Sequence, residues 1–173
     1  MRIKKPGITP ETKSLFGQAE RYEEKHDFGK AFKCLLAAAR LGDTGSQLNL
    51  GNFYAWGRGV PKNLEKAAYW YKKAYKNGDS VGALNLAIDK RNQGKVRSSV
   101  IWFKKAVAMN DGDACIPLAK IYIDRKGGQT AAADLLRRAL RMSRENISDS
   151  AKEEAEALLS KIEKARKRRV AQP

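Results

Sequence analysis

The sequence predicts an all-α solenoid of about four stacked helical hairpins, closed by a C-terminal helix. Three observations predict it. Lys66-Ala67-Ala68-Tyr69-Trp70-Tyr71-Lys72-Lys73-Ala74 returns as Ser98-Ser99-Val100-Ile101-Trp102-Phe103-Lys104-Lys105-Ala106, with Trp70 and Trp102 standing 32 residues apart. Leu48-Asn49-Leu50-Gly51 is echoed 36 residues later by Leu84-Asn85-Leu86-Ala87. Small residues fall in register at Ala19, Gly51, Ala87 and Ala119. A fixed period in this range marks stacked helical units, each burying a face against its neighbours.

Residues 1–11 hold two prolines, a glycine and several charges, and read as a flexible basic arm. The first hairpin spans about 12–43. Its first helix opens at Thr12 and carries Leu15, Phe16, Ala19 and Tyr22 on one stripe. Asp27-Phe28-Gly29 makes the turn, and a second helix runs to Leu41, where Gly42 suits a left-handed cap. The second hairpin covers about 44–79. Its loop is Gly57-Arg58-Gly59-Val60-Pro61-Lys62-Asn63, because two glycines and a proline interrupt any helix. Asn63 is a good N-cap, although Lys66 stands where a full capping box would place Glu.

The third hairpin, about 80–113, has a loop shorter by four residues around Gly94, which accounts for the change of step from 36 to 32. Asn110 takes the place of Gly78, and asparagine is the next-best residue for a left-handed cap. The fourth, about 114–148, matches Leu50, Gly51 and Tyr54 with Leu118, Ala119 and Tyr122; Gly127-Gly128 turns it into a helix from Ala131 to Met142. Asp149 or Ser150 then caps a last helix with Ala155, Leu158, Leu159 and Ile162 on one face, so that 149–173 form a capping helix with a basic tail. The small residues admit close helix approach, while Trp70, Tyr71, Trp102 and Phe103 supply buried area at about 2–3 kcal/mol each when fully buried. At helical spacing and fixed repeat positions these aromatics are core residues rather than base-stacking platforms.

The second unit resembles the Sel-one-like repeat family, a relative of the tetratricopeptide repeat. The match runs through Leu50-Gly51, Tyr54, Gly57, Gly59-Val60, Lys66-Ala67, Trp70-Tyr71, Lys73-Ala74 and Gly78. The third unit keeps the second-helix half but has Lys90 where the tyrosine belongs, and the first and fourth match weakly. The resemblance covers about residues 12–148. It implies a right-handed α/α superhelix and an adaptor or scaffold role through protein–protein contacts. The family has no shared catalytic residues to carry over, and this chain lacks the cysteine pattern of its secreted, disulfide-pinned branch.

Composition narrows the function classes. No apolar run approaches the ~18–20 residues needed to span a bilayer, and the N-terminal charges lead into no apolar stretch, so no secretory signal is expected. Cys34 and Cys115 read as small core residues in a reducing, cytoplasmic compartment. The net charge is +16. Residues 161–169 hold six basic residues and one acid, residues 1–13 hold four and one, and the body between them is also basic. Such a charge favours an acidic partner: nucleic acid, an anionic membrane or an acidic protein.

No catalytic constellation presents itself. His26 is the single histidine, and neither a cysteine pair nor a histidine cluster could hold a metal. Gly57-Arg58-Gly59 lacks the Lys-Ser/Thr of a phosphate loop, and Glu23-Glu24 and Glu153-Glu154 read as solvated faces. No enzymatic role and no cofactor are expected. If the first helices line the concave face, partner-binding candidates are Asn52, Trp56, Ile88, Arg91, Asn92, Lys120 and Asp124. Trp56 lies outside the repeated core positions; it either anchors a partner or packs beneath the Gly57–Val60 loop. Lys72, Lys73, Lys76, Lys104, Lys105, Arg137, Arg138 and Arg141 recur on the second helices. They read either as a stripe tracking a phosphate backbone or as solvated helix backs. Lys164, Arg166, Lys167, Arg168 and Arg169 form the basic tail. The first reading is therefore an adaptor that binds an acidic protein segment on its concave face. The alternative is a nucleic-acid-associated protein using the basic stripe and tail.

Overall fold

The computed structural model describes residues 8–170, with side chains through Arg168. Among these residues the secondary structure is wholly helical. The elements are α1 (Pro10–Glu24), α2 (Phe28–Arg40), α3 (Thr44–Trp56), α4 (Leu64–Lys76), α5 (Ser80–Asn92), α6 (Val96–Ala108), α7 (Cys115–Ile123), α8 (Gln129–Leu140) and α9 (Asp149–Val170). They form an all-α solenoid of helical hairpins that divides into two compact units, Met1–Asp89 and Lys90–Pro173. The expected basic arm falls on residues 1–7, outside the described residues, and on Ile8 to Glu11.

In the first unit α1 opens two residues earlier than the apolar stripe indicates. Thr9 is the N-cap and forms a reciprocal capping box with Thr12, and Pro10 occupies the first turn, where its missing N–H costs nothing. α1 pairs with α2, α3 with α4, and α2 packs on α3. Ala19, Ala31, Leu35, Ala39, Leu50, Phe53 and Trp70 form their shared core, with Phe16, Tyr22, Phe28, Phe32 and Tyr54 around it. Within the second hairpin the Tyr71 ring lies directly on Gly51, in the space a Cβ would fill. Behind it, buried Gln47 joins successive hairpins. Its amide donates to Ala39 O at 3.2 Å, while Asn77 Nδ2 donates to Gln47 Oε1 at 3.0 Å.

The links between hairpins share one solution. Gly42 and Gly78 sit at φ 96° and 90°, and Asn110 takes the same region at 64°. Each is followed by an aspartate whose carboxylate receives a backbone N–H of the next segment: Asp43 from Ser46, Asp79 from Val81 and Asp111 from Ala114. The left-handed residue ends one helix and the aspartate begins the next.

In the second unit α6 packs on α7, α7 on α8, and α9 on α8 and α7. α8 runs Gln129–Leu140, two residues ahead of the expected span, because Gly128 O already accepts from Ala132 N. The cap of α9 is Ser148, not Asp149 or Ser150. Its hydroxyl accepts from Ala151 N at 3.2 Å and donates to Asp113 Oδ1 at 3.0 Å, and its own N–H donates to the same carboxylate at 2.8 Å. Gly112 N donates to Asn146 O at 2.7 Å, and buried Ile147 closes the joint. Both cysteines are free; Cys34 is half-buried and Cys115 fully buried.

Gly51→Ala forces a methyl group into the Tyr71 ring. Overpacking outweighs the ~1 kcal/mol helix-propensity gain, so a net loss of ~1–3 kcal/mol is expected in urea unfolding. Burial raises the Cys115 thiol to about 11. It therefore stays protonated at pH 8, and iodoacetamide should modify Cys34 well before Cys115, as read by mass spectrometry. Since this pKa lies above the thiol's ordinary value of 9.0, the stabilisation from keeping it neutral is complete below pH 9. It is lost as the pH rises toward 11.

Candidate protein-docking face

α3 builds the best-defined candidate surface. Residues four apart on a helix share a face, and α3 places Asn52 and Trp56 one turn apart on one stripe. Trp56 is 64% exposed and does not pack beneath the following loop. Gly57 ends the helix at φ 72°, and the loop turns back over the first hairpin, where Gly59 rests on the Phe28 backbone. This brings Arg58 into contact with three aromatic rings, its guanidinium 5.3 Å from the centroid of Phe28, 6.0 Å from Phe53 and 5.4 Å from Trp56. Arg58 Nη1 also donates to Glu23 Oε2 at 3.2 Å. The tryptophan thus stands beside a guanidinium whose charge is balanced.

Asn52 is held from behind. Tyr71, 2% exposed, donates its hydroxyl proton to Asn52 Oδ1 at 2.7 Å. Burial, with a smaller contribution from the Asp89 carboxylate, pushes the Tyr71 hydroxyl above its ordinary range. At neutral pH it is a donor, which fixes the asparagine amide with its oxygen inward. Neither Tyr71 nor Arg58 stood among the sequence candidates. The signal for Tyr71 was the hydroxyl that Phe103 lacks at the same repeat position; nothing in the repeat pattern marks Arg58.

The other candidates are distributed. Ile88 is half-buried on α5 in the first unit. In the second unit Arg91 and Asn92 are exposed, with the Arg91 guanidinium 5.9 Å from the Phe103 ring centroid. Lys120 is ion-paired with Glu154 of α9, and Asp124 is exposed at the end of α7.

The basic residues of the second helices divide by role. Lys72 and Lys76 in the first unit, and Lys104 and Arg141 in the second, are exposed. Lys73 Nζ lies 5.2 Å from the Trp70 ring centroid, and Lys105 Nζ lies 4.0 Å from that of Trp102. Arg137 pairs with Asp134 and Glu163. Arg138 donates to Val107 O at 2.7 Å and to Asn110 Oδ1 at 3.4 Å, closing the C-terminal end of α6. On α9, Lys164 and Arg168 border a shallow depression of about 390 Å³. Arg166 and Lys167 are exposed nearby, and the Arg169 side chain lies outside the described residues. Among the described residues no three His, Cys, Asp or Glu side chains gather as a metal site, and no helix is long and apolar enough to cross a membrane.

Arg138 acts as a helix cap, so Arg138→Ala should lower stability by about 1 kcal/mol. Lys104→Ala, at an exposed position of α6, should stay within about 0.5 kcal/mol. Thermal melts of the two variants compare them directly.

Similar proteins share this architecture. A crystal structure of a Sel1 repeat protein from Oxalobacter formigenes superposes with a TM-score of 0.65 at 21% identity, over 78% of this chain and 61% of that one. The structure of c5321, a protective antigen of uropathogenic Escherichia coli with an SLR fold, gives 0.65 at 17% identity, over 75% of this chain and 30% of that one. At these identities the likeness is one of fold. The chitin synthase regulator SKT5 of Saccharomyces cerevisiae is 40% identical over 65 residues, which is 38% of this chain but 9% of that protein. The Sel1 repeat model matches residues 15–43, 44–79 and 90–111. With its repeats matched over half of its length, the chain belongs to the Sel1 repeat family.

Proposed function

We propose that this protein is an interaction scaffold that docks a segment of a partner protein on the exposed face of α3, with Trp56 as the anchor. One observation carries the reading: a tryptophan 64% exposed at the end of a packed helix, with a charge-balanced arginine beside it. Tryptophan and arginine are the residue types enriched at interface hot spots. The yeast relative, by name a regulator of an enzyme, is consistent with a protein that works through another protein. The net charge of +16 attracts an acidic partner over long range and speeds its encounter. Glu23 of α1, which pairs with Arg58, borders the proposed docking face.

The test is affinity capture from source lysate at physiological salt, with and without nuclease. A discrete protein should survive nuclease with the wild-type chain, and its binding should fall about 30-fold or more with Trp56→Ala, the loss of a strong hot spot. Circular dichroism of that variant should be unchanged. Loss of all bound material on nuclease treatment overturns the reading in favour of nucleic acid. The exposed Lys72, Lys76 and Lys104 would then be the residues to reverse in charge.

A further inference from the structure

We infer that the far end of α9 docks the phosphate backbone of double-stranded DNA. This surface lies in the second unit and stands independently of the α3 docking face. α9 is divided by charge. Residues 149–156 hold four acids and one base, whereas 161–168 hold five bases and one acid, Glu163. The bases Lys161, Lys164, Arg166, Lys167 and Arg168 are all exposed, and none forms an ion pair among the described residues. Glu163 is the one carboxylate of α9 within a turn of them. Its spacing suits a pair with Lys167, yet it takes Arg137 of α8 at 3.0 Å. Likewise Glu154 pairs with Lys120 of α7, and Asp149 with Arg144. The acids of α9 thus balance cations of other segments, and its own end is left uncompensated.

Fold stability does not call for this arrangement. A helix C-terminus favours cations only through its last turn, and α9 ends at Val170, so Lys161 and Lys164 lie outside that influence. Lys164 has like-charged neighbours at Lys161, Lys167 and Arg168, three or four residues away, which weakens a helix. After Ile162 no described side chain of α9 is fully buried, so these cations hold no neighbour in place.

Charge density selects the occupant. Lys161, Lys164, Lys167 and Arg168 fall within about 10 Å of helix axis and about a third of its circumference. They face away from the buried Ala155 and Ile162. Duplex DNA presents about six phosphates in that length. An extended acidic peptide brings only about two carboxylates to one face over the same distance, and an acidic helix of matching density would repel itself. Among the described residues, none of the exposed large apolar side chains lies on α9. Ala157, Ser160 and Ala165 stand among the cations, so a membrane finds nothing to take up. Arg166 lies on the opposite flank of the helix, where a second row of phosphates would meet it. The major groove of B-form DNA admits an α-helix between its two phosphate rows, whereas that of A-form RNA is too narrow.

The probe is a fluorescein-labelled DNA duplex of about 20 base pairs, read by anisotropy at about 50 mM salt, where phosphate contacts are strong. Binding should be saturable and indifferent to sequence. It should weaken about 100-fold or more between about 50 and 200 mM salt. Lys161→Gln with Lys164→Gln should weaken it about tenfold or more and reduce the salt slope by about two contacts. Circular dichroism should show that this pair keeps its helix content and melting temperature. Lys72→Gln with Lys76→Gln removes the same charge from the first unit and should change affinity less than about twofold. Trp56→Ala should leave DNA binding unchanged, so the two surfaces fail separately. Duplex RNA of the same sequence, a glutamate decamer and anionic lipid vesicles should each bind several-fold more weakly. No saturable DNA binding, an equal loss in the Lys72 and Lys76 pair, or equal binding of any of those three polyanions would each overturn the inference.

Discussion

The second hairpin is organised around one close approach, the Tyr71 ring lying against the backbone of α3 at Gly51. A side chain at position 51 would hold α4 away from α3. With glycine there, α4 comes near enough to carry Trp70 into a core shared with Leu35, Leu50 and Phe53 of the neighbouring helices. The same approach sets the depth of the Tyr71 hydroxyl, which reaches Asn52 from inside the pair. Packing between helices and presentation of a polar group at the surface are thus consequences of one missing methyl group. The fully buried alanines at 19, 87 and 119 hold the corresponding places in the other first helices.

The architecture was legible because its determinants recur. The small residue of each first helix, the apolar pair of the second helix and the left-handed residue before each aspartate return at steps of 32 or 36, and Asn110 could be read as a substitute for Gly78. What escaped the sequence has no repeat counterpart. Arg58 returns to Glu23 across 35 residues, Arg138 reaches Val107 across 31, and Ser148 finds Asp113 across 35. Such pairs depend on where loops land in space, and each occurs once, so no periodicity announces them. The helix starts were misjudged for a related reason. Thr9 and Ser148 cap through polar atoms, whereas the apolar stripe begins only further along.

The charge pattern shows the same division. Sequence spacing groups eight basic residues of the second helices as equivalent. The structure gives half of them local structural work: two cover tryptophan rings, one pairs with carboxylates on two helices, and one closes a helix end. Of the four, only Arg137 is paired with carboxylates; Lys73, Lys105 and Arg138 keep their charge but are held in place by rings and carbonyl oxygens. Of the seven partner-binding candidates that the sequence offers, Asn52 and Trp56 lie together on one stripe of α3. Their supporting groups emerged only once the loop and α4 were in place.

The joint between the Gly112–Asp113 turn and the Asn146–Ser148 connector changes how the second unit comes apart. In an ideal repeat array each element touches only its neighbours, and the terminal helix can peel away alone. Here the cap of α9 is built partly from a carboxylate that precedes α7. Releasing the last helix also breaks the hydrogen bonds that Asn146 and Ser148 make with Gly112 and Asp113, so fraying from that end is resisted by residues two helices upstream. The contact with Asp113 spans 35 residues and encloses α7 and α8, so the cap of the final helix is tied to a distant turn as well as to its own first residues.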